Sequence, residues 1–191
     1  MRLIIITGTC GAGKSTVKDH LAKRLDPDKF VCIDTDEVGI NWWDYAGTDH
    51  EEHYSDDCLA EAVRLANGHD LVFVSCINPQ DYIGRHTIPA EIESTVFIVL
   101  CPTDEVIYQR LQARPAERGF TTEEAIRPHI EYNQWFRKIV ENTLCLLTTA
   151  NRQKNKLQRK WQSLLRVCDK QSGNSCRDVH PVKLLFVEEK S

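Results

Sequence analysis

The chain reads as an α/β protein of three layers, α/β/α, built on a five-stranded, mostly parallel sheet. Three observations predict this. Five short apolar runs, at residues 3–6, 30–33, 71–74, 96–100 and 144–147, alternate with helix-length amphipathic segments. Such alternation requires right-handed crossovers and a sheet covered on both faces. The first run leads directly into Gly8-Thr9-Cys10-Gly11-Ala12-Gly13-Lys14-Ser15, which matches G-x-x-x-x-G-K-[ST] without a mismatch. Finally, 191 residues are enough for one well-buried domain and few for two.

Leu3-Ile4-Ile5-Ile6 is too short for a buried helix and rich in β-branched residues, so it is the first strand. The glycines after it let the backbone curl until successive N–H groups point inward, and the next helix adds its own unpaired N–H groups and dipole. Gly8, Cys10, Gly11, Ala12, Gly13, Lys14, Ser15 and Thr16 are therefore candidate nucleotide contacts. Lys14 is placed to reach the β- and γ-phosphates and Ser15 to ligate the accompanying Mg²⁺. An ordinary glycine-rich turn is the bland alternative, and the strand before and helix after argue against it. Val17, Leu21 and Leu25 mark one face of that helix, which Asp26-Pro27 ends.

Phe30 to Ile33 form the second strand, with Asp34-Thr35-Asp36-Glu37 at its end. Asp34 and Asp36 are either a solvated strand end or a pair facing a cation; without a cation, two such neighbours repel and raise at least one pKa. Trp42, Trp43 and Tyr45 follow in an irregular acidic stretch, and either stack a nucleobase or pack in the core. A helix fits residues 51–67, with Leu59, Val63 and Ala66 inward and Gly68 as the stop. Leu71 to Val74 are the third strand, after which Asn78-Pro79 opens a helical segment carrying Tyr82 and Arg85.

Val96 to Leu100 are the fourth strand, and Thr103 caps a helix through Gln112 with Val106, Ile107 and Leu111 inward. Arg110 and Arg114 share a face of it. Salt bridging to Asp104, Glu105 or Glu117 is their bland reading. Residues 115–119 are a polar break containing Arg118, short enough to move as a lid over about 114–120. Thr121 and Glu124 have capping-box spacing, and a helix runs on to about Val140 with Pro128 as a kink or restart. Leu144 to Leu147 are the fifth strand, followed by a helix over 153–168. Residues 1–168 thus make a single domain and 169–191 a tail, in which Val182 to Val187 read as one more strand on a sheet edge. In parallel sheets ligands bind beyond the carboxyl ends of the strands, so Asp34 and Asp36, Ser75 to Asn78, Cys101 to Asp104 and Thr148 to Arg152 should meet the phosphate loop there.

Composition sets bounds on partners. The formal charge of −4 is mild and its cations are dispersed, which argues against nucleic acid and membrane surfaces. The basic face of Lys154, Lys156, Arg159 and Lys160 reads as solvated helix surface. Eight cysteines contain no C-x-x-C pair and several lie in apolar runs, so they are expected to be reduced thiols. A strand beginning at residue 2 or 3 leaves no room for a signal peptide, and a cytoplasmic protein is expected. His50 and His53 are three apart, with no third ligand placed to complete a metal site.

With these residues in view, the chain resembles the P-loop small-molecule and nucleotide kinases over about residues 1–168. The resemblance implies a fold of the P-loop NTPase type with strand order 2-3-1-4-5, and ATP and Mg²⁺ as cofactors. Ile33-Asp34-Thr35-Asp36 is similar to the apolar-Asp-x-Asp signature of the shikimate and gluconate kinases. That implies Asp34 on the metal side, generally through water, and Asp36 as acceptor of the substrate hydroxyl proton. Arg110, Arg114 and Arg118 resemble lid arginines that close over ATP, and Arg85 resembles an acceptor-binding arginine. Ser75-Cys76-Ile77-Asn78 stands where kinases of the adenylate kinase type usually carry Asp-Gly, which moves weight toward hydroxyl acceptors; Trp42, Trp43 and Tyr45 pull toward a nucleobase.

The expectation is an enzyme, monomeric or homodimeric, that transfers the γ-phosphoryl group of ATP to a hydroxyl of a small metabolite. The alternative acceptor is a nucleoside or nucleoside monophosphate. A GTPase-like switch fits less well. Asp36-Glu37-Val38-Gly39 satisfies D-x-x-G but falls too soon after the loop, and N-K-x-D is absent, the nearest candidate being Asn151-Arg152-Gln153-Lys154. A non-catalytic nucleotide-binding module is the remaining class, separated from the first by turnover.

Overall fold

Alternation along the first strand, β1 (Arg2–Thr7), sets up both cores. Leu3 and Ile5 point into one apolar cluster, Ile4 and Ile6 into another on the opposite face. This is the period-2 geometry of a strand buried on both sides. The computed structural model describes residues 1–84, 88–142 and 182–187. In it β1 lies between β3 (Asp70–Val74) and β4 (Ser94–Leu100), and β2 (Phe30–Asp34) lies outside β3. All these pairs are parallel, with Ile6 opposite Val74 and Ile98, and Asp34 opposite Val74.

The first cluster is closed by α2 (Tyr54–Ala66) through Cys58, Leu59, Ala62, Val63 and Ala66. Tyr82 of α3 (Pro79–Gly84) and Phe136 of α5 (Glu123–Asn142) also enter it. The second is closed by Leu21 of α1 (Lys14–Ala22), Ile107 and Leu111 of α4 (Asp104–Gln112), and Ile126 of α5. Each fully buried aliphatic side chain contributes about 1.5–3 kcal/mol, so the two clusters hold the strand ends rigidly where the site forms. Among the described residues no helix is long and apolar enough to cross a membrane.

Strands β2, β3, β1 and β4 stand in the expected order 2-3-1-4. The fifth strand expected at Leu144–Leu147 lies outside the described residues, as do the helix at 153–168 and the segment 148–152. The strand that pairs with β4 is instead β5 (Val182–Val187), parallel, with Val182 opposite Thr95 and Val187 opposite Leu100. The tail thus contributes a strand to the sheet, next to β4.

Helix ends follow side-chain chemistry. Thr103 caps α4 by accepting from Val106 N at 3.4 Å, and Asn78 Oδ1 accepts from Gln80 N at 2.9 Å at the start of α3. Two expectations shift. Thr122, not Thr121, meets the start of α5, its hydroxyl accepting from Ala125 N at 3.3 Å. Residues Glu51–His53 form a 3₁₀ turn before α2 begins at Tyr54. Helix α5 continues through Pro128.

Candidate functional site

The phosphate loop is pressed against the end of β4. Gly8 has φ +144°, and a Cβ there would stand 2.6 Å from Leu100 O, so only glycine allows this approach. Gly13, at φ +94°, precedes α1; no side chain caps that helix and no acid stands in its first turn. The first turn of α1 therefore supplies no counter-charge of its own to its positive end, in contrast to α4 with its Thr103 cap and Asp104 and Glu105. Such an end suits an anion.

Lys14 curls back over the loop, its Nζ donating to Gly8 O at 2.9 Å and Thr9 O at 3.1 Å. The loop is also tied to its neighbours. Thr9 Oγ1 donates to His129 O of α5 at 2.9 Å, and Arg110 Nη1 of α4 donates to Gly11 O at 3.3 Å.

Across from the loop, Ser15 Oγ donates to Asp34 Oδ2 at 2.9 Å, so the hydroxyl and carboxylate expected on the metal side are in contact. Asp34 is held from several directions. Its Oδ1 accepts from Asp36 N at 3.4 Å, and its own N–H donates to Glu37 Oε2 at 2.7 Å, completing a capping box. Glu37 Oε1 in turn accepts from Lys18 Nζ at 2.5 Å, and Thr35 Oγ1 ties the turn to Val74 O at 2.7 Å. Lys18 is only 8% exposed. Burial works against its ammonium, yet the hydrogen bond and charge of Glu37 hold its pKa above the usual lysine value. Glu37 likewise pays for burial, but Lys18 and the Asp34 N–H bring its pKa below the ordinary glutamate value.

Asp36 is exposed, and its charge is felt by both Cys10 and Tyr54, which places it between the phosphate loop and the aromatic group. Trp42 and Tyr45 meet Tyr54 edge-on, with centroids 5.1 and 5.4 Å away. Trp43 is 80% exposed, so packing in the core is not its role. Arg114 is exposed, stands near Cys10 and His129, and lies over Phe120 at 5.4 Å from the ring centroid. Arg118 lies in the 3₁₀ turn Ala116–Arg118, ended by Gly119, and among the described residues no hydrogen bond or ion pair joins it to the phosphate loop. Arg85 lies outside the described residues.

Two of the acids offered as bland partners for the arginines are engaged elsewhere. Asp104 accepts from Asn133 Nδ2 at 3.2 Å, Gln134 Nε2 at 2.8 Å and the Arg137 guanidinium, while Glu105 accepts from Gln109 Nε2 at 2.5 Å. This clasp holds α4, and with it Arg110, against α5. The sequence does not single out Lys18, Glu37 or the Thr9 side chain as parts of the site, and it brings Asp104 there only as the end of the segment from Cys101. Only the D-x-x-E spacing of Asp34 and Glu37, a capping-box pattern, carries a local signal. Among the described residues no three His, Cys, Asp or Glu side chains cluster as metal ligands. His50 and His53 stand with ring centroids 6.2 Å apart.

Comparisons with known proteins agree with this fold. A family model described as an AAA domain matches residues 4–131. The adenylate kinase isoenzyme 6 homolog of Drosophila melanogaster is 30% identical over 114 residues, an alignment spanning 58% of this chain and 59% of that protein. Among solved structures, shikimate kinase from Acinetobacter baumannii, in complex with shikimate, superposes with a TM-score of 0.51 at 17% identity, over 90% of this chain and 96% of that one. Deoxyadenosine kinase from M. mycoides with bound dATP gives 0.51 at 13% identity, over 87% and 100%. A sugar kinase from Janibacter sp. gives 0.53 at 15% identity, over 87% and 95%. At such identities the structural likenesses establish a shared fold.

Proposed function

The chain belongs to the AAA-domain family, with a P-loop at its N-terminal end, and on that premise we propose that it is an ATP- and Mg²⁺-dependent phosphotransferase acting on a hydroxyl of a small metabolite. The observation that carries the reading is the contact of Ser15 Oγ with Asp34 Oδ2 at 2.9 Å, with Asp36 two residues on and open to the acceptor side. The residues fit the group they would hold. The uncapped start of α1 suits phosphate oxygens, and Ser15 with Asp34 offers a hard oxygen pair of the kind Mg²⁺ takes, directly or through water.

When bound, ATP·Mg²⁺ supplies the phosphoryl group and a cation that offsets its charge. The chain's own residues then position and neutralise. The backbone from Gly8 to Thr16 grips the phosphates, and Lys14 exchanges its bonds to Gly8 O and Thr9 O for phosphate oxygens. Arg110 and Arg114 add charge from the α4 side, and Arg118 joins them when residues 114–120 close. Asp36 takes the proton that an alcohol must lose as the new bond forms. Trp42 and Trp43 form the acceptor side, with Arg85 assigned there by resemblance alone.

A second acceptor class, a nucleoside or nucleoside monophosphate, is favoured by the exposed indole of Trp43 and by the adenylate kinase homolog. A coupled ADP-release assay over sugars, sugar acids, nucleosides and nucleoside monophosphates separates the two. Turnover on hydroxyl-bearing metabolites is expected. Turnover on monophosphates alone selects the second class, and ATP binding with no acceptor-dependent turnover would leave a non-catalytic module.

A further inference from the structure

Ser15 and Lys18 stand three residues apart on one face of α1, and Asp34 and Glu37 stand three residues apart in the turn after β2. Each meets its counterpart. Ser15 Oγ donates to Asp34 Oδ2 at 2.9 Å and Lys18 Nζ to Glu37 Oε1 at 2.5 Å, so the two contacts are rungs between the same helix and the same turn. Glu37 also joins the rungs to each other, because its second oxygen accepts from Asp34 N at 2.7 Å. On the far side Thr35 Oγ1 donates to Val74 O at 2.7 Å, which fixes the turn to β3. The Asp34 carboxylate thus has a donor on each oxygen, Ser15 on Oδ2 and Asp36 N on Oδ1.

Stability alone does not call for a lysine at this place. Lys18 and Leu21 are the buried residues of α1, and taking an ammonium out of water opposes folding. Its partner Glu37 is half-exposed, and apolar side chains of similar volume commonly hold such positions at least as well as an ion pair does. What the ammonium adds is specific to charge. Asp34, Asp36 and Glu37 put three carboxylates into one short turn, where like charges repel. Lys18 matches Glu37 and leaves the charges of Asp34 and Asp36 to face a cation and an acceptor. It also draws Glu37, and through it the Asp34 backbone, toward the helix that carries Ser15.

We propose that Lys18 and Glu37 are positioning residues, whose ion pair holds the Asp34 carboxylate against the Ser15 hydroxyl so that both oxygens are presented together to Mg²⁺. The inference rests on the ATP·Mg²⁺ site proposed above. Lys18 and Glu37 act through Asp34 and Ser15 rather than on the nucleotide. Their effect therefore falls on metal-dependent binding, while the phosphate loop, made of backbone N–H groups and Lys14, grips phosphate without them.

The test is calorimetric titration of the full chain with ATP, once with excess Mg²⁺ and once with EDTA, in the wild type, Lys18→Met, Glu37→Gln and Lys18→Arg. Methionine keeps the apolar stem packed, glutamine leaves one acceptor oxygen for two donors, and arginine restores a cation. Changing a partner behind a metal ligand lowers metal affinity by about 10- to 100-fold, so Lys18→Met and Glu37→Gln should bind ATP at least about tenfold more weakly with Mg²⁺ and equally well with EDTA. Lys18→Arg should recover most of that loss. Lowered Tm with Mg²⁺-dependent binding intact makes the pair a structural bridge only and overturns the proposal. Equal losses with Mg²⁺ and with EDTA also overturn it, because the pair would then support the loop rather than the metal side. A folded Lys18→Arg as weak as Lys18→Met overturns the role of charge. Should Lys18→Met fail to fold, Glu37→Gln decides alone, since its side chain is half-exposed. A wild type that binds ATP no better with Mg²⁺ than with EDTA sinks the metal-site reading itself and this proposal with it, a result read before any variant is made.

Discussion

Replacing Gly8 by alanine tests whether the phosphate loop depends on touching the end of β4. The added Cβ would stand 2.6 Å from Leu100 O and 3.2 Å from Ala12 Cβ, and the first of these is backbone within a buried strand. Alanine must also adopt φ +144°. Backbone strain of about 1–3 kcal/mol and a similar overpacking cost make a loss of about 2–6 kcal/mol. Gly39→Ala is the control. It shares a positive φ, +79°, but nothing lies within 4 Å of its Cβ, so only the left-handed cost of about 1 kcal/mol remains. For a chain of this size each kcal/mol moves Tm by about 2–4 °C. Differential scanning calorimetry should therefore show Tm lowered by about 4–24 °C for Gly8→Ala and about 2–4 °C for Gly39→Ala. Calorimetric titration should also show ATP binding weakened only in the first. Equal Tm shifts, or a destabilised Gly8→Ala that binds ATP normally, would refute the close-approach argument.

Three further outcomes are expected. Asp36→Asn keeps the shape of the side chain while removing its basic oxygen, so turnover on the identified acceptor should fall roughly 10²- to 10⁴-fold with ATP affinity little changed; Asp34→Asn should alter the Mg²⁺ dependence first, and near-normal turnover of Asp36→Asn would remove it as base. Because the Glu37 pKa is lowered on folding, its pairing with Lys18 stabilises the protein above the ordinary glutamate range and is lost as pH falls through the lower folded value. Urea midpoints should show this acid-side loss in the wild type, at about 1 kcal/mol or less given the exposure of Glu37, and a smaller one in Lys18→Met, where only the Asp34 N–H still bonds Glu37; an identical acid limb in both would refute the linkage. Hydrogen exchange over residues 114–120 should slow on binding a non-hydrolysable ATP analogue with Mg²⁺, and indifference to the ligand would count against a lid.

The four strands from β1 to β4, the loop that follows β1 and the Thr103 cap were legible because each is encoded by neighbours in the chain: an apolar run, a glycine spacing, a hydroxyl before a helix. The same locality explains why Asp34 and Asp36 could be placed at a strand end facing the loop. It also explains what escaped. Val182–Val187 and Leu144–Leu147 are both short apolar runs, and periodicity cannot decide which of two such runs takes the place beside β4. The burial of Lys18 against Glu37, the clasp of Asp104 by residues of α5, and the tie of Thr9 to His129 all join residues far apart in sequence. Those contacts exist because parallel strands β2, β3, β1 and β4 end side by side and bring their outgoing segments and helices together. Sequence alone determined that a phosphate-binding loop would form and that helices would cover both sheet faces, since backbone conformation and apolar periodicity are local properties. Which charges are paired and how closely Gly8 meets Leu100 were decided only by strand order and register, because these set distances through space.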